Sequence, residues 1–160
     1  VTERYSDAYA DSHGRFTVIP AVYVLLRRSD DVLLQLRAGT GYYDGHWASG
    51  AAGHVERGES LLQAAVREAQ EELGVGIRPG DLEFLTLEHR TGDGAAIDER
   101  VDLFLGCRVW TGTPALQEDK AVDLRWFDLH ALPDPVVPHE RVVLERWAAG
   151  TLAPITPIGF

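Results

Sequence analysis

The first stretch with a clear pattern runs from Phe16 to Leu26, almost unbroken in β-branched and aliphatic residues. Such a run predicts a strand buried on both faces, with Pro20 marking a bulge or an edge position. Ser29-Asp30-Asp31 supplies turn residues, and Val32 to Leu36 returns as a second strand. Between Ala38 and Gly53 the glycines at 39, 41, 45, 50 and 53 interrupt any period, which predicts a loop-rich connection with short extended pieces around Trp47. Helical spacing then takes over from Leu61 to Leu73. Ser60 and Gln63 form a capping-box signature at its start, Glu59 sits where the helix dipole favours an anion, and Gly74 suits a left-handed C-terminal cap.

Leu82 to His89 and Val101 to Trp110 read as two further strands, separated by the turn residues Thr91-Gly92-Asp93-Gly94. Val122 to Phe127 predicts a shorter strand. Pro138 opens a second helix that runs to Ala149 and stops at Gly150. Residues 1–14 are polar and without period, the pattern of a loose N-terminal arm. Residues 151–160 form an apolar tail, expected to pack on its own domain or on a second copy of the chain, which leaves a homodimer open. Strands with one helix in the middle and one at the end predict a mixed α/β sandwich.

Composition narrows the picture. At 160 residues the chain is expected to be one domain, and 45% apolar with 25% charged residues excludes wholesale disorder. A lone cysteine, Cys107, rules out an internal disulfide, and no secretory leader opens the sequence, so a cytoplasmic location is expected. The longest apolar run, from Val18 to Leu26, is far too short to span a bilayer, so no membrane partner is expected. A net charge of −10 repels nucleic acid and argues against it as a partner.

On a helical wheel, Leu61, Leu62, Ala65, Val66, Ala69 and Leu73 share one arc, and Glu68, Glu71 and Glu72 cover the adjoining one. Three carboxylates so close repel one another unless they merely face solvent or hold a hard divalent cation such as Mg2+ or Mn2+. The wider pattern decides between these. Gly53, five residues, Glu59, seven residues and then Arg67-Glu68-Ala69-Gln70-Glu71-Glu72-Leu73-Gly74-Val75 resembles the Nudix box, with every specified position filled. Gly53-His54-Val55-Glu56-Arg57-Gly58-Glu59 and Trp126-Phe127-Asp128-Leu129 resemble its flanks.

The resemblance implies a Nudix-type α/β/α sandwich with a mixed β-sheet and the box helix at the active site. It implies MutT-like, Mg2+-dependent hydrolysis (Mn2+ as a substitute) of a nucleoside diphosphate linked to another group. A non-standard nucleoside triphosphate is the preferred small-molecule substrate. ADP-ribose or nucleotide-sugar diphosphatase activity and a non-catalytic nucleotide sensor are the alternatives. By the same resemblance Glu68, Glu71 and Glu72 are metal ligands with the Gly53 carbonyl, and Glu118 is a further acidic ligand. Glu68 is the first choice of general base, with Glu71 and Arg67 completing the catalytic group. Glu59, Gly58 and Gly74 shape the box. Arg37, Trp47 and Arg100 are expected to bind substrate, although Trp47 also suits a core position. The sequence departs from the family pattern at Ser49-Gly50-Ala51-Ala52-Gly53, where a proline is missing before the box. It also lacks the downstream proline and tyrosine typical of ADP-ribose and dinucleoside polyphosphate hydrolases, which motivates the preference for triphosphates.

Overall fold

The computed structural model describes residues 9, 14, 16–92 and 98–160. The expected N-terminal arm, residues 9 and 14 apart, and turn positions 93 and 94 lie outside these residues. Strand β1 (Ile19–Arg28) is the axis of the fold. Its residues 21–24 pair antiparallel with β4 (Ala51–His54) on one side, and its residues 19–26 pair parallel with β6 (Arg100–Cys107) on the other. Its last two residues turn back into β2 (Asp31–Arg37). That strand carries β3 (Trp47–Ser49) on one edge and β7 (Ala121–Asp128) on the other. Beyond β6 the sheet continues through antiparallel β5 (Leu82–Arg90) to β8 (Ile155–Ile158), parallel to β5. The apolar tail of the sequence is thus in part an edge strand of its own sheet.

Covered by a core on each face, β1 has its residues from Ala21 to Leu26 all buried. Alternate side chains feed two cores. Val22, Val24 and Leu26 pack under helix α1 (Leu61–Leu73), while Ala21, Tyr23 and Leu25 pack under helix α2 (Pro138–Ala148). Two helices on opposite faces of a mixed sheet make the α/β/α sandwich. Pro20 causes no register shift: it lies near the start of β1, one residue outside the stretch paired with β4, where its missing N–H is not required.

Helix α1 departs from its wheel in an informative way. The capping box at Ser60 and Gln63 is complete, and Gly74 closes the helix in the left-handed region at φ 68°. The buried face, however, is Ala64, Ala65, Glu68, Ala69, Glu72 and Leu73, while Leu61 and Leu62 are exposed. The helix is rotated by about 40° from its apolar arc toward its carboxylates. Two glutamates therefore sit where hydrophobic side chains would pack. The first turn, beyond the edge of the sheet, gives its leucines to solvent.

Candidate active site

The rotation of α1 places Glu68 and Glu72 against strand β4. Gly53 is a glycine for steric reasons, since its backbone lies outside the left-handed region and a Cβ there would overlap the Glu68 carboxylate. Glu72 reaches one step further, and its Oε2 accepts from the Ala52 N–H at 3.0 Å and from Gln35 Nε2 at 3.4 Å. Burial is the main force on both acids. It raises the pKa of Glu68 against the opposing pull of Arg67, and it pushes Glu72 up to about 7, with repulsion from Glu68 adding to the rise. Glu71, one step round the helix, is half-exposed.

Arg67 ties the group together. Its guanidinium donates to both oxygens of Glu59 at 2.7 and 3.1 Å, to Glu68 at 2.6 Å, to Glu71 at 3.1 Å and to the carbonyl of His54 at 3.0 Å. Glu59 is itself fixed by the Glu56 N–H at 2.7 Å, in a turn where Gly58 takes φ 92°. Glu59 and Arg67 thus form a clamp that aims Glu68 and Glu71 at one place. From the loop before β7, Glu118 bonds Lys120 at 2.6 Å, and the same ammonium lies 3.9 Å from Glu72. Lys120 therefore sits as a counter-ion beside the cluster. The oxygen ligands of Glu68 and Glu72, partly dehydrated beside Gly53, suit a hard divalent cation in chemistry, but no three of the carboxylates of Glu68, Glu71, Glu72 and Glu118 bring ligand atoms within 4.8 Å of one another.

The cluster abuts a cavity of about 370 Å3 on the other side of Ala52 and Gly53. Arg37, Arg90 and Arg100 line it, with Gln35, Ser49 and Glu140 deeper in its wall. Arg37 is held by the Tyr42 carbonyl at 2.8 Å and Thr40 Oγ1 at 3.1 Å. Arg90 and Arg100 both reach Asp102, at 2.6 and 3.4 Å. Two of the three residues expected to bind substrate, Arg37 and Arg100, are thus on the cavity wall. Trp47 is not: it is 8% exposed, edge-on to Phe127 in the core beneath α2. Tyr42 also lines the cavity. Cys107 is buried in the first core.

A second group of buried ionisable residues lies under α2. Glu88, Asp102 and His139 bring their polar atoms within 4.8 Å of one another. This group does not suit a cation, because Arg90 and Arg100 already occupy Asp102 and His139 meets the Tyr23 hydroxyl at 3.3 Å. Burial holds His139 well below its usual range and pushes Glu88 up to about 8, so both favour their neutral forms. Sequence reading missed Gln35, Lys120 as counter-ion and the Ser49–Glu140 pair. One signal for Glu140 was present: it lies three and four residues before Val143 and Leu144, on the apolar face of its helix.

A family model described as the NUDIX domain matches residues 17–147. A NAD-capped RNA hydrolase NudC from Pseudomonas aeruginosa is 36% identical over 116 residues, covering 71% of this chain and 37% of that protein. The chain thus spans little more than a third of that relative. An isopentenyl-diphosphate Delta-isomerase from Jannaschia sp. is 30% identical over 149 residues, covering 86% of this chain and 84% of that protein. The crystal structure of a MutT NUDIX hydrolase from Burkholderia pseudomallei superposes with a TM-score of 0.72 at 26% identity, covering 81% of this chain and 98% of that one. No helix among the described residues is long and apolar enough to cross a membrane.

Proposed function

Since the chain belongs to the Nudix family, we propose that it is a Mg2+-dependent pyrophosphohydrolase whose preferred substrates are nucleoside triphosphates. The observation that carries the reading is the meeting of two features at Gly53: the carboxylate cluster of α1 and an arginine-lined cavity. Glu68, Glu71 and Glu72, with the Gly53 carbonyl and Glu118, would hold the cation. When bound, the cation neutralises phosphate oxygens and acidifies water. Mn2+ offers the same preference for oxygen ligands.

The chain's own residues do the rest. Arg37 and Arg100 bind phosphate oxygens at the cavity wall, where paired N–H donors match an oxyanion. Glu68 accepts the proton of the attacking water, and its pKa, raised by burial, brings it closer to that task at neutral pH. Arg67 and Glu59 hold Glu68 in place without touching substrate. The water attacks one phosphorus, the P–O bond to the leaving phosphate or pyrophosphate breaks, and that oxygen departs as an anion.

The isomerase relatives match this chain in sequence, and the cavity wall combines Arg37, Arg90, Arg100 and Glu140 with Ala21, Tyr23, Ala48 and Ala52, so turnover decides between hydrolysis and isomerisation. The test is product release from a panel of nucleoside triphosphates, ADP-ribose, nucleotide sugars and isopentenyl diphosphate, with and without Mg2+. Triphosphate turnover that needs Mg2+ is expected. ADP-ribose or a nucleotide sugar turned over with ten times the kcat/KM of every triphosphate, about 1.4 kcal/mol in barrier, would overturn the substrate preference. No product from any nucleotide or from isopentenyl diphosphate, with a nucleotide still bound, would make the protein a sensor.

A further inference from the structure

Strands β5 and β6 set four ionisable residues in a square on the face under α2. Their register places Glu88 opposite Asp102 and Arg90 opposite Arg100, so like charges stand directly across from one another, which destabilises a sheet. All the bonding goes to one acid. Arg90 Nε donates diagonally to Asp102 Oδ2 at 2.6 Å, and Arg100 Nε reaches Oδ1 of the same carboxylate at 3.4 Å. Glu88 is fully buried, and neither of its oxygens has a hydrogen bond among the described residues. On its other side β8 presents Thr156, whose hydroxyl is already paired with that of Thr86 at 3.0 Å. A carboxylate buried without a donor costs far more than a carboxyl, so the square is stable with a proton on Glu88.

If that proton leaves, one cation is placed to answer it. The charged and titratable groups around Glu88 are Arg90 on its own strand, Asp102 and Arg100 on β6, Tyr23 on β1, and His139, Glu140 and Arg146 on α2. Arg146 is exposed, burial holds His139 neutral, and Arg100 lies diagonally across the square. Arg90 stands two residues away on the same face of β5, and among the charges it pulls hardest on Glu88. Its terminal NH2 groups have no acceptor among the described residues. The same side chain, 13% exposed, lines the cavity. Drawn to an ionised Glu88, it would leave that wall for the interior under α2.

We propose that Arg90 is a substrate-binding arginine with two positions, and that Glu88 is its positioning residue. Protonated, Glu88 leaves Arg90 to Asp102 and the cavity; ionised, it withdraws the guanidinium from the substrate. This rests on the reading of the cavity as the substrate site. Burial pushes Glu88 up to about 8, which puts the change in the mildly alkaline range. An anionic substrate binds the protonated form more tightly, so affinity is full below pH about 8 and falls as pH rises through it. By linkage, substrate binding near that pH takes up a proton.

Wild type and Glu88→Gln, whose amide stands for the protonated acid, are to be compared at about pH 6.5 and about pH 9.5. KM for the best triphosphate at saturating Mg2+ should rise about tenfold in the wild type and stay level in the variant, with any change in kcat common to both. The Arg90 Nε–H resonance should move between the two pH values in the wild type, as its acceptor changes, and stay fixed in Glu88→Gln. Arg90→Gln should show the high KM at both pH values, which keeps the test open if the Glu88 variant does not fold. A rise shared by wild type and Glu88→Gln, or no rise in the wild type, would overturn the proposal. Sulfate, a dianion that does not titrate in this range, separates the proposal from the hydrolase reading when it is titrated without metal. Sulfate affinity that falls with pH only where Glu88 is present, in a protein that hydrolyses no nucleotide, would sink hydrolysis alone. Hydrolysis of triphosphates with sulfate bound equally at both pH values would sink the switch alone.

Discussion

The two faces of the sheet each bury carboxylates, and they solve the same electrostatic problem differently. Under α1, Glu68 and Glu72 come from one helix, face a gap and are balanced only in part by Arg67 and Lys120. Under α2, Glu88, Asp102 and Glu140 come from β5, β6 and α2, and the balance is internal: Arg90 and Arg100 on Asp102, Ser49 on Glu140 and neutralisation of Glu88. The proposed function assigns a cation to the first arrangement, while the second is balanced by its own neighbours. Burial raises carboxyl pKa values on both sides, so a raised pKa alone does not distinguish a cation site from a structural network.

The contrast predicts where substitutions act. The largest effect should come from Glu68→Gln or Glu72→Gln, each lowering Mg2+-dependent turnover about 1,000-fold, or about 4 kcal/mol in barrier, because an amide is a poor ligand for a hard cation. Steady-state rates across Mg2+ concentrations check this, and retained turnover at limiting Mg2+ would reduce the cluster to a solvated helix face. Gly53→Ala should follow at about 100-fold, because the methyl group would displace the Glu68 carboxylate; that carboxylate is the movable end of its side chain, so stability should change little. Melts and rates on the same sample measure both.

On the α2 side, Glu88→Gln should act on stability and not on metal dependence. The folded state raises the Glu88 pKa to about 8. A raised carboxyl pKa means that the folded protein holds the proton more tightly than the unfolded chain, so this contribution is complete below pH ~4.5 and is lost as pH rises through 8. The variant should therefore gain several degrees in Tm relative to wild type on going from pH 5 to pH 9. An unchanged difference at both pH values would show that Glu88 is ionised without cost. The smallest effect should be at Lys120, where Lys120→Gln removes a competing cation 3.9 Å from Glu72 and should tighten Mg2+ binding about fivefold, as expected for a half-exposed pair.

The same contrast explains what the sequence disclosed. The α1 cluster was legible because its residues follow one another at helical spacing after Gly53, and its clamp, Glu59 and Arg67, belongs to the same 23 residues. The buried run of β1 was equally legible, since a core on each face leaves no room for polar alternation. The exposure of Leu61 and Leu62 was not, because the wheel weighs side chains by hydrophobicity and cannot know that Gly53 makes room for a carboxylate. Nor was the α2 cluster: Glu88 and Asp102 meet through an antiparallel register, and Glu140 meets Ser49 across 91 positions. The strand character of the tail, β8, depends on β5 lying open beside it.

One experiment reaches the central claim, that burial of the α1 carboxylates is relieved by a cation. Thermal melts of wild type and Glu72→Gln at pH 8, across Mg2+ concentrations, should cross. Without Mg2+ the variant should be the more stable by about 1–3 kcal/mol, because it keeps the acceptor for Ala52 and Gln35 while removing a buried charge whose cost to the fold is fully present above pH about 7. With Mg2+ the wild type should rise, as any ligand of the native state requires, and overtake a variant that barely moves. Two curves that stay parallel from zero to saturating Mg2+ would contradict the account.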